Sequence, residues 1–247
     1  MMLNQEMRSQ GEWLFRWRSY LPMIFFLLFI PAFRTFHYLA DSHFADLIWE
    51  CVCLSIGFSG LWIRCLVVGY SPANTSGRNT KKQIADSLNT TGMYSMVRNP
   101  LYLGNFLMWS APILFLHHGW LYLIYVLAFV IYYERIIAVE ESFLAKKFGT
   151  SYKDWADKTP LLFPLRWRWR KPETPFSWKT VIRREYHGFY ALLLVMTALE
   201  FIGDILVLHK MTLDLFWGSL FVFGTIFYLV VRILAKKTQY LKVEGRS

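Results

Sequence analysis

Long runs of apolar residues limit this chain to a small set of folds. They are about 15–25 residues long, enough to span a bilayer as a helix, and they recur along most of the 247 residues. Inside a bilayer only helices and closed barrels satisfy their backbone hydrogen bonds, and runs of this length are helical ones. We therefore predict an all-α, polytopic transmembrane protein with a single domain over residues 1–247.

Six of these runs are assigned as membrane spans. We place them at about 20–36, 44–68, 101–116, 120–137, 186–208 and 213–234. The third and fourth spans should form a helical hairpin, because only the short turn at 117–119 separates them. The fourth helix is expected to continue to Phe148 and to end at Gly149, since glycine is favoured just after a helix. The last two spans are additions to the hairpin.

The net charge of +10 is concentrated near both termini and in the loops at 69–99 and 139–185. Lysine and arginine favour the cytoplasmic side of a membrane protein, so these two loops are predicted to face the cytoplasm. A nucleic-acid partner would need a folded basic face outside the membrane, so we expect none. We also predict no metal site, because Cys51, Cys53 and Cys65 lie in one apolar run and no zinc-ligand spacing is present.

Two other features carry positive charge next to the membrane. Arg64 stands near the end of the second span, and we expect its long side chain to reach the membrane surface. Residues 150–185 are basic and aromatic, with an alternating arginine–tryptophan run at 166–171. This mixture is typical of a surface segment that holds tryptophan among headgroups and arginine on phosphates.

A short polar stretch at 88–102 runs directly into the third span. The residue before Pro100 is pushed out of the helical region, whereas proline itself suits the first turn of a helix. Backbone N–H groups at a helix start have no partner within the helix, and the helix dipole there favours an anion. The sequence therefore predicts a site for a polar ligand at this mouth of the hairpin.

A second polar stretch lies towards the end of the fourth helix. Glu134 and Arg135 form a charged pair within a membrane helix, so we expect them to face protein or water. Glu140 and Glu141 follow near the helix end, where solvated carboxylates and ligand-binding carboxylates are both open readings. From these residues alone the chain is a membrane enzyme or a transporter with a cytoplasmic polar site.

Two motifs flank the hairpin. They read Gly92-x-Tyr94-x-x-x-Arg98-Asn99-Pro100-x-Tyr102-x-Gly104 and Glu140-Glu141-x-x-Leu144-x-x-x-Phe148-Gly149-x-x-Tyr152. In this order and with the hairpin between them, they resemble the isoprenylcysteine carboxyl methyltransferase and phospholipid methyltransferase family of integral-membrane enzymes. The resemblance covers a core at about residues 76–165 and implies S-adenosylmethionine as the cofactor.

The resemblance also implies which residues bind the cofactor. They are Asp86, Ser87, Leu88, Asn89, Tyr94, Asn99, Pro100, Leu101, Tyr102, Glu140 and Glu141. The cofactor's carboxylate suits a helix start, its ammonium and ribose suit carboxylates, and its adenine suits aromatic side chains. Two positions depart from the family pattern. Asn99 stands where histidine is usual, and Ile136 stands where carboxyl methyltransferases have an arginine for the substrate carboxylate.

We expect methyl transfer to a membrane-lipid headgroup, with an anionic oxygen as the acceptor. Such an oxygen needs no base, only a cation to place it, so Arg98 and Arg135 are the predicted catalytic residues. Residues 11–20 are similar to a branch that methylates lipid A phosphate, which is the first-ranked substrate.

Several alternatives stay open at this point. Phosphatidylethanolamine N-methylation ranks second, and O-methylation of a prenylcysteine or another carboxylate ranks third. A membrane reductase of the sterol-reductase type or a transporter is the alternative from another class. We expect the protein in a bacterial inner membrane with its active site facing the cytoplasm, and the sequence leaves its oligomeric state open.

Overall fold

The structure is a computed structural model that describes residues 3–18, 20–72, 75 and 84–246. The basic residues Arg78, Lys81 and Lys82 of the predicted cytoplasmic loop lie outside the described residues. Within the described part, helices make up nearly all of the regular structure, and strand-like pairing is confined to one isolated bridge. The predicted all-α class is confirmed.

Eight α-helices occur in the described part of the chain. They are α1 (Leu3–Trp17), α2 (Phe29–Phe33), α3 (His43–Tyr70), α4 (Pro100–Phe115), α5 (Gly119–Phe148), α6 (Thr150–Ala156), α7 (Trp178–Leu208) and α8 (Leu215–Lys237). Helices α4 and α5 form the predicted hairpin, and α7 and α8 are the two predicted C-terminal helices. The predicted end of α5 is also confirmed: Gly149 has a positive φ of 58°, and its N–H donates to Ala145 O at 3.0 Å.

Four of these helices are long and apolar enough to cross a membrane, namely α3, α5, α7 and α8. A fifth span results if Ser9–Trp17 and Leu21–Phe33, bent by 77°, count as one. The described residues thus give four or five spanning helices where six spans were predicted. Helix α4 is too short, because its 16 residues extend about 24 Å, against about 30 Å of hydrocarbon.

The first predicted span is also shorter than expected. Residues 21–28 adopt a 3₁₀ helix, and only the five residues of α2 continue it as an α-helix. Pro31 within α2 has no N–H to donate to the preceding turn, so the sequence does not support one long continuous helix there.

Helix α3 lies at the centre of the bundle and packs along α4 and α7. The approach to α4 depends on glycine, since a Cβ at Gly60 would lie only 2.5 Å from Gly104 O. Side chains such as Cys53, Ala111 and Met196 are fully buried in the middle of the bundle. Polar side chains therefore collect towards its two ends.

We name these ends by what they contain. The cavity end holds the last turns of α3 and α5 and the first turns of α4 and α7. The far end holds the start of α3, the turn between α4 and α5, the end of α7 and the start of α8. From Glu50 near the far end to Arg64 near the cavity end is about 21 Å along α3.

The two loops that were predicted to share one side meet at the cavity end. Gly92 N–H donates to Arg170 O at 2.8 Å, and Arg98 N–H donates to Pro160 O at 2.8 Å. These backbone bonds join the segment before α4 to the basic and aromatic segment that follows α6.

Candidate functional site

A cavity of about 460 Å³ lies at the cavity end among α3, α4, α5 and α7. The segment before α4 and side chains from the end of α1 complete its wall. Small-molecule sites have volumes of about 300–1,000 Å³, so this cavity is large enough for a cofactor-sized ligand.

Ten of the residues predicted from the sequence line this cavity. They are Ser87, Leu88, Asn89, Tyr94, Arg98, Asn99, Pro100, Leu101, Tyr102 and Glu140. Three predicted residues, Asp86, Glu141 and Arg135, are not part of the lining. The structure thus brings both motifs to one place, although they stand about 40 residues apart in the chain.

Glu140 forms a charged part of the cavity wall. Its Oε1 accepts a hydrogen bond from Tyr102 Oη at 2.8 Å and lies 3.2 Å from Arg18 Nη1. The side chain is 22% exposed. Tyr102 and Arg18 therefore fix the Glu140 carboxylate in the cavity wall, and it is not a freely solvated group at a helix end.

Glu141 lies outside the cavity lining and forms an ion pair with Arg98. Its Oε1 lies 3.1 Å from Arg98 Nη1, and Arg98 itself lines the cavity. Burial, together with the Glu141 carboxylate, raises the pKa of Tyr152, so this phenol stays neutral beside the ion pair. Glu141 thus acts on the cavity through the position of Arg98.

The start of α4 is less open than its sequence suggested. Asn99 lies outside the helical region, as expected before proline. However, the N–H groups of Arg98 and Asn99 donate to Pro160 O and Leu161 O, and those of Tyr102 and Leu103 donate to Asn99 O. Among the described residues, the Leu101 N–H is the one at this helix start that has no such acceptor.

Asn99 takes the place of the usual histidine, and its side chain contacts the segment after α6. Its Nδ2 donates to Leu161 O at 3.2 Å. This contact needs a donor and no titrating group, so the replacement of histidine is compatible with the local structure.

Asn89 offers an unused hydrogen-bond donor. Its Nδ2 is buried and has no partner among the described residues, and the residue lines the cavity. Burying an N–H donor without an acceptor costs free energy. A ligand that offers an acceptor to Asn89 Nδ2 would remove that cost. The residues present therefore fit a polar cofactor.

Aromatic groups close the same part of the cavity. Trp155 Nε1 donates to Tyr94 O at 3.1 Å, and both residues line the cavity. Burial, with a smaller contribution from Glu140, raises the pKa of Tyr94, so its phenol stays neutral at physiological pH. These rings are suited to cover a flat base.

The expectation that Arg64 reaches the membrane surface is wrong. Arg64 instead makes a two-pronged pair with Glu185, Nε–Oε2 at 2.8 Å and Nη2–Oε1 at 3.0 Å, and its Nη1 donates to Asn105 Oδ1 at 2.6 Å. Asn105 Nδ2 in turn donates to Tyr133 Oη at 3.3 Å. All four residues line the cavity.

Sequence reasoning missed this network because its charged members lie on α3 and α7, far apart in the chain. A signal was available nonetheless. A charge within a membrane helix requires a partner, and Glu185, about two turns inside α7, has the opposite charge.

Arg135 lies on another face of α5. Its Nε donates to Gln10 Oε1 at 2.9 Å and its Nη1 to Ile131 O at 2.8 Å, so it contacts α1 and not the cavity. Arg18 and Arg184 line the cavity instead. Because successive helix positions differ by about 100° in direction, the Arg135 side chain does not share the face of Glu140.

Residues 70–151 match the model of a family described as phospholipid methyltransferase. This match confirms the predicted resemblance for the region that contains the hairpin and most of both motifs.

The chain is also 29% identical over 123 residues to the nickel-cobalt-cadmium resistance protein NccN of Alcaligenes xylosoxydans xylosoxydans. That alignment covers 50% of this chain and 55% of NccN. The chain therefore spans about half the length of the curated relative that it matches. No solved structure matches the chain.

Proposed function

We propose that a chain with this phospholipid methyltransferase region transfers a methyl group from S-adenosylmethionine to an anionic oxygen of a membrane-lipid headgroup. One observation carries the proposal. Arg18, Arg98 and Arg184 line the same cavity as the expected cofactor residues, while its two carboxylates, Glu140 and Glu185, are each held by arginine. Four arginines and two glutamates therefore line the cavity, and Glu141 pairs with Arg98 from outside the lining. This surplus of guanidinium groups suits an anionic substrate.

The cofactor would lie against the first motif and Glu140. Glu140 and Tyr102 offer a polar edge, Asn89 offers the unused amide donor, and Tyr94 with Trp155 offers aromatic cover. When bound, S-adenosylmethionine supplies a methyl group already activated by its sulfonium. The protein's task is then to position the acceptor and to exclude water.

Arginine side chains are suited to bind the methyl acceptor. A phosphate oxygen is ionised at neutral pH, and a guanidinium can hold it in a two-pronged geometry. An amine acceptor would have to lose a proton, and no histidine is found among the described lining residues. These features favour an anionic oxygen over the nitrogen of ethanolamine.

The cavity wall also suits an amphiphile. Phe15, Pro22, Trp109 and Phe143 provide apolar surface next to the arginine side chains. Within this proposal lipid A phosphate is the first-ranked substrate, because the stretch at 11–20 that is similar to that branch contributes Phe15 and Arg18 to the wall. The setting would be a bacterial inner membrane with the cavity facing the cytoplasm.

Labelled methyl transfer from S-adenosylmethionine tests the proposal. The purified full-length protein is given separate vesicles with lipid A, phosphatidylethanolamine or a prenylcysteine, and mass spectrometry locates the added methyl. We expect the label on phosphate oxygen, with a rate that changes little from about pH 6.5 to 8, since phosphate is then mostly ionised. Label on ethanolamine nitrogen with a rate that rises with pH would overturn the choice of acceptor. Failure to bind S-adenosylmethionine would overturn the proposal as a whole.

A pair of arginine variants makes this test specific. Arg98→Lys is expected to lower kcat/KM on the phosphate substrate about tenfold or more, because lysine cannot reproduce the two-pronged contact. Arg232→Lys is the matched control, since Arg232 is an exposed residue on α8 that contacts Tyr228. Equal effects of the two variants would remove Arg98 from the acceptor site.

A further inference from the structure

A second set of titratable side chains lies at the far end of the bundle, away from the cavity. Five carboxylates meet there: Asp46, Glu50, Glu200, Asp204 and Asp214. The first four are only 1–2% exposed. Burying a carboxylate in a helix bundle is expensive unless a proton or a cation neutralises it.

The protein itself supplies little positive charge at this end. Among the described residues, the close histidine–carboxylate contacts here are His43 Nε2–Asp214 Oδ2 at 3.1 Å and His117 Nε2–Asp46 Oδ1 at 3.2 Å. Histidine is only partly charged near neutral pH. The far end therefore carries more acidic groups than its histidines can balance.

Neutral donors satisfy hydrogen bonds here but do not remove the charge. Trp217 Nε1 donates to Glu50 Oε2 at 2.8 Å, and Tyr38 Oη donates to Asp204 Oδ1 at 2.7 Å. The Glu50 and Glu200 carboxyl groups lie next to each other and interact. Such contact between two carboxyl groups requires a shared proton or a cation beside them.

Three side chains at this end are close enough together to hold a metal ion. One ligand atom each from His43, Glu200 and Asp214 lie within 4.8 Å of one another. Ligand atoms around a tetrahedral ion with bonds of about 2.1 Å lie about 3.4 Å apart. Side-chain movements of about 1 Å would bring the three ligand atoms to that separation. His43 and Asp214 are partly exposed, which leaves a route for an ion to enter.

Asp46 provides a second and independent indication of a missing ligand. It is 2% exposed, and its Oδ2 is buried without a hydrogen-bond partner among the described residues. Asp46 lies one turn from both His43 and Glu50 on α3 and interacts with both. A buried carboxylate oxygen beside His43 and Glu50 thus lacks a partner that a nearby cation would supply.

We propose that the far end binds one divalent transition-metal ion through His43, Glu200 and Asp214. Asp46 and Glu50 add negative charge around the ion. A set of one imidazole and two carboxylates favours Zn²⁺, Co²⁺ or Ni²⁺ over Mg²⁺ and Ca²⁺, which prefer oxygen ligands alone. The ion stabilises the folded state, because it binds ligands that only the fold brings together.

This site is separate from the methyl-transfer cavity and does not depend on the proposed function. The sequence did not reveal it, because its ligands come from the start of α3, the end of α7 and the residue before α8. No local spacing connects them, so the prediction of no metal site followed from searching for local motifs alone.

Titration with Co²⁺ tests the proposal. The full-length protein is purified in detergent, treated with a chelator and desalted, and Co²⁺ binding is followed by its visible absorption and by calorimetry. We expect one saturable site, a four-coordinate absorption spectrum that Zn²⁺ abolishes by competition, and a higher unfolding temperature with metal. If the protein shows no saturable Co²⁺ binding, or if it binds only Mg²⁺ and Ca²⁺, the proposal is overturned.

Variants distinguish this site from adventitious surface binding. Glu200→Gln and His43→Gln are each expected to weaken Co²⁺ binding at least tenfold. Glu134→Gln and His187→Gln change the same residue types at exposed positions of α5 and α7, and they should leave the affinity within about twofold.

Because His43 is partly exposed, its variant is expected to fold, and its unfolding temperature without metal should stay near that of the unmodified protein. Metal affinity unchanged in both far-end variants would refute the assignment. Binding of S-adenosylmethionine should be the same before and after chelation, which keeps the outcome independent of the methyl-transfer proposal.

Discussion

Both ends of the bundle gather carboxylates, three at the cavity end and five at the far end, but they neutralise them differently. At the cavity end each of three carboxylates meets a guanidinium, in the pairs Arg18–Glu140, Arg98–Glu141 and Arg64–Glu185. At the far end the carboxylates meet histidine, neutral donors and each other. Each carboxylate of the cavity end is therefore paired with an arginine of the chain itself, whereas the carboxylates of the far end depend on protons or on a bound cation.

The largest expected effect concerns the deepest pair at the cavity end. Glu185→Gln leaves the Arg64 guanidinium in the bundle without its opposite charge. Breaking a buried pair on one side costs about 3–5 kcal/mol, which we expect to see as a lower free energy of unfolding in a denaturing-detergent titration. The double variant Arg64→Met with Glu185→Leu should regain part of this loss. A cost below about 1 kcal/mol would mean that the pair behaves as an exposed one.

A smaller effect is expected on ligand binding at the same end. Glu140→Gln removes the charge from the cavity wall while keeping an acceptor for Tyr102. Because hydrogen bonds to a charged group contribute about 1.5–3 kcal/mol, calorimetry should show S-adenosylmethionine affinity reduced about tenfold or more. Glu134→Gln, an exposed position on the same helix, is the control and should have no effect. Equal affinities in all three proteins would remove Glu140 from the cofactor site.

The smallest effect is expected at the far end. Without added metal, Glu50→Gln removes one of several buried acidic groups and still offers an oxygen to Trp217. We expect the free energy of unfolding to change by less than about 1 kcal/mol, because lost repulsion offsets the lost carboxylate. A loss comparable to that of Glu185→Gln would show that both ends are balanced in the same way.

Local sequence patterns predicted the parts of the fold that depend on local rules. Apolar length located α3, α5, α7 and α8, and the glycine after α5 marked its end. The number of spans was overestimated where prolines and a length of 16 residues interrupt the pattern. Hydropathy counts apolar residues, but it does not report whether they form one continuous helix.

In the candidate site, too, features that depend on local sequence were predicted and features that depend on distant contacts were not. The residues before and within the first motif line one cavity with Glu140, as the resemblance implied, and their roles in binding remain predictions. Arg135 was assigned by proximity in sequence, but a rotation of about 100° per residue turns it towards α1. Arg64 and the far-end residues depend on contacts between helices that are distant in the chain. A charge within a membrane helix indicates that a partner exists, but no local spacing identifies that partner.

The close packing at the middle of the bundle has a consequence for permeability. Gly60 lets α3 and α4 touch backbone to backbone, and Ala111, Leu193 and Met196 fill the space between the polar ends with fully buried apolar atoms. Protons and ions cross a membrane protein along chains of water or polar groups, and about 21 Å of helix, packed mainly with apolar side chains, separates Glu50 from Arg64. We therefore expect the packed middle of the bundle to hinder the passage of protons and ions from one end to the other.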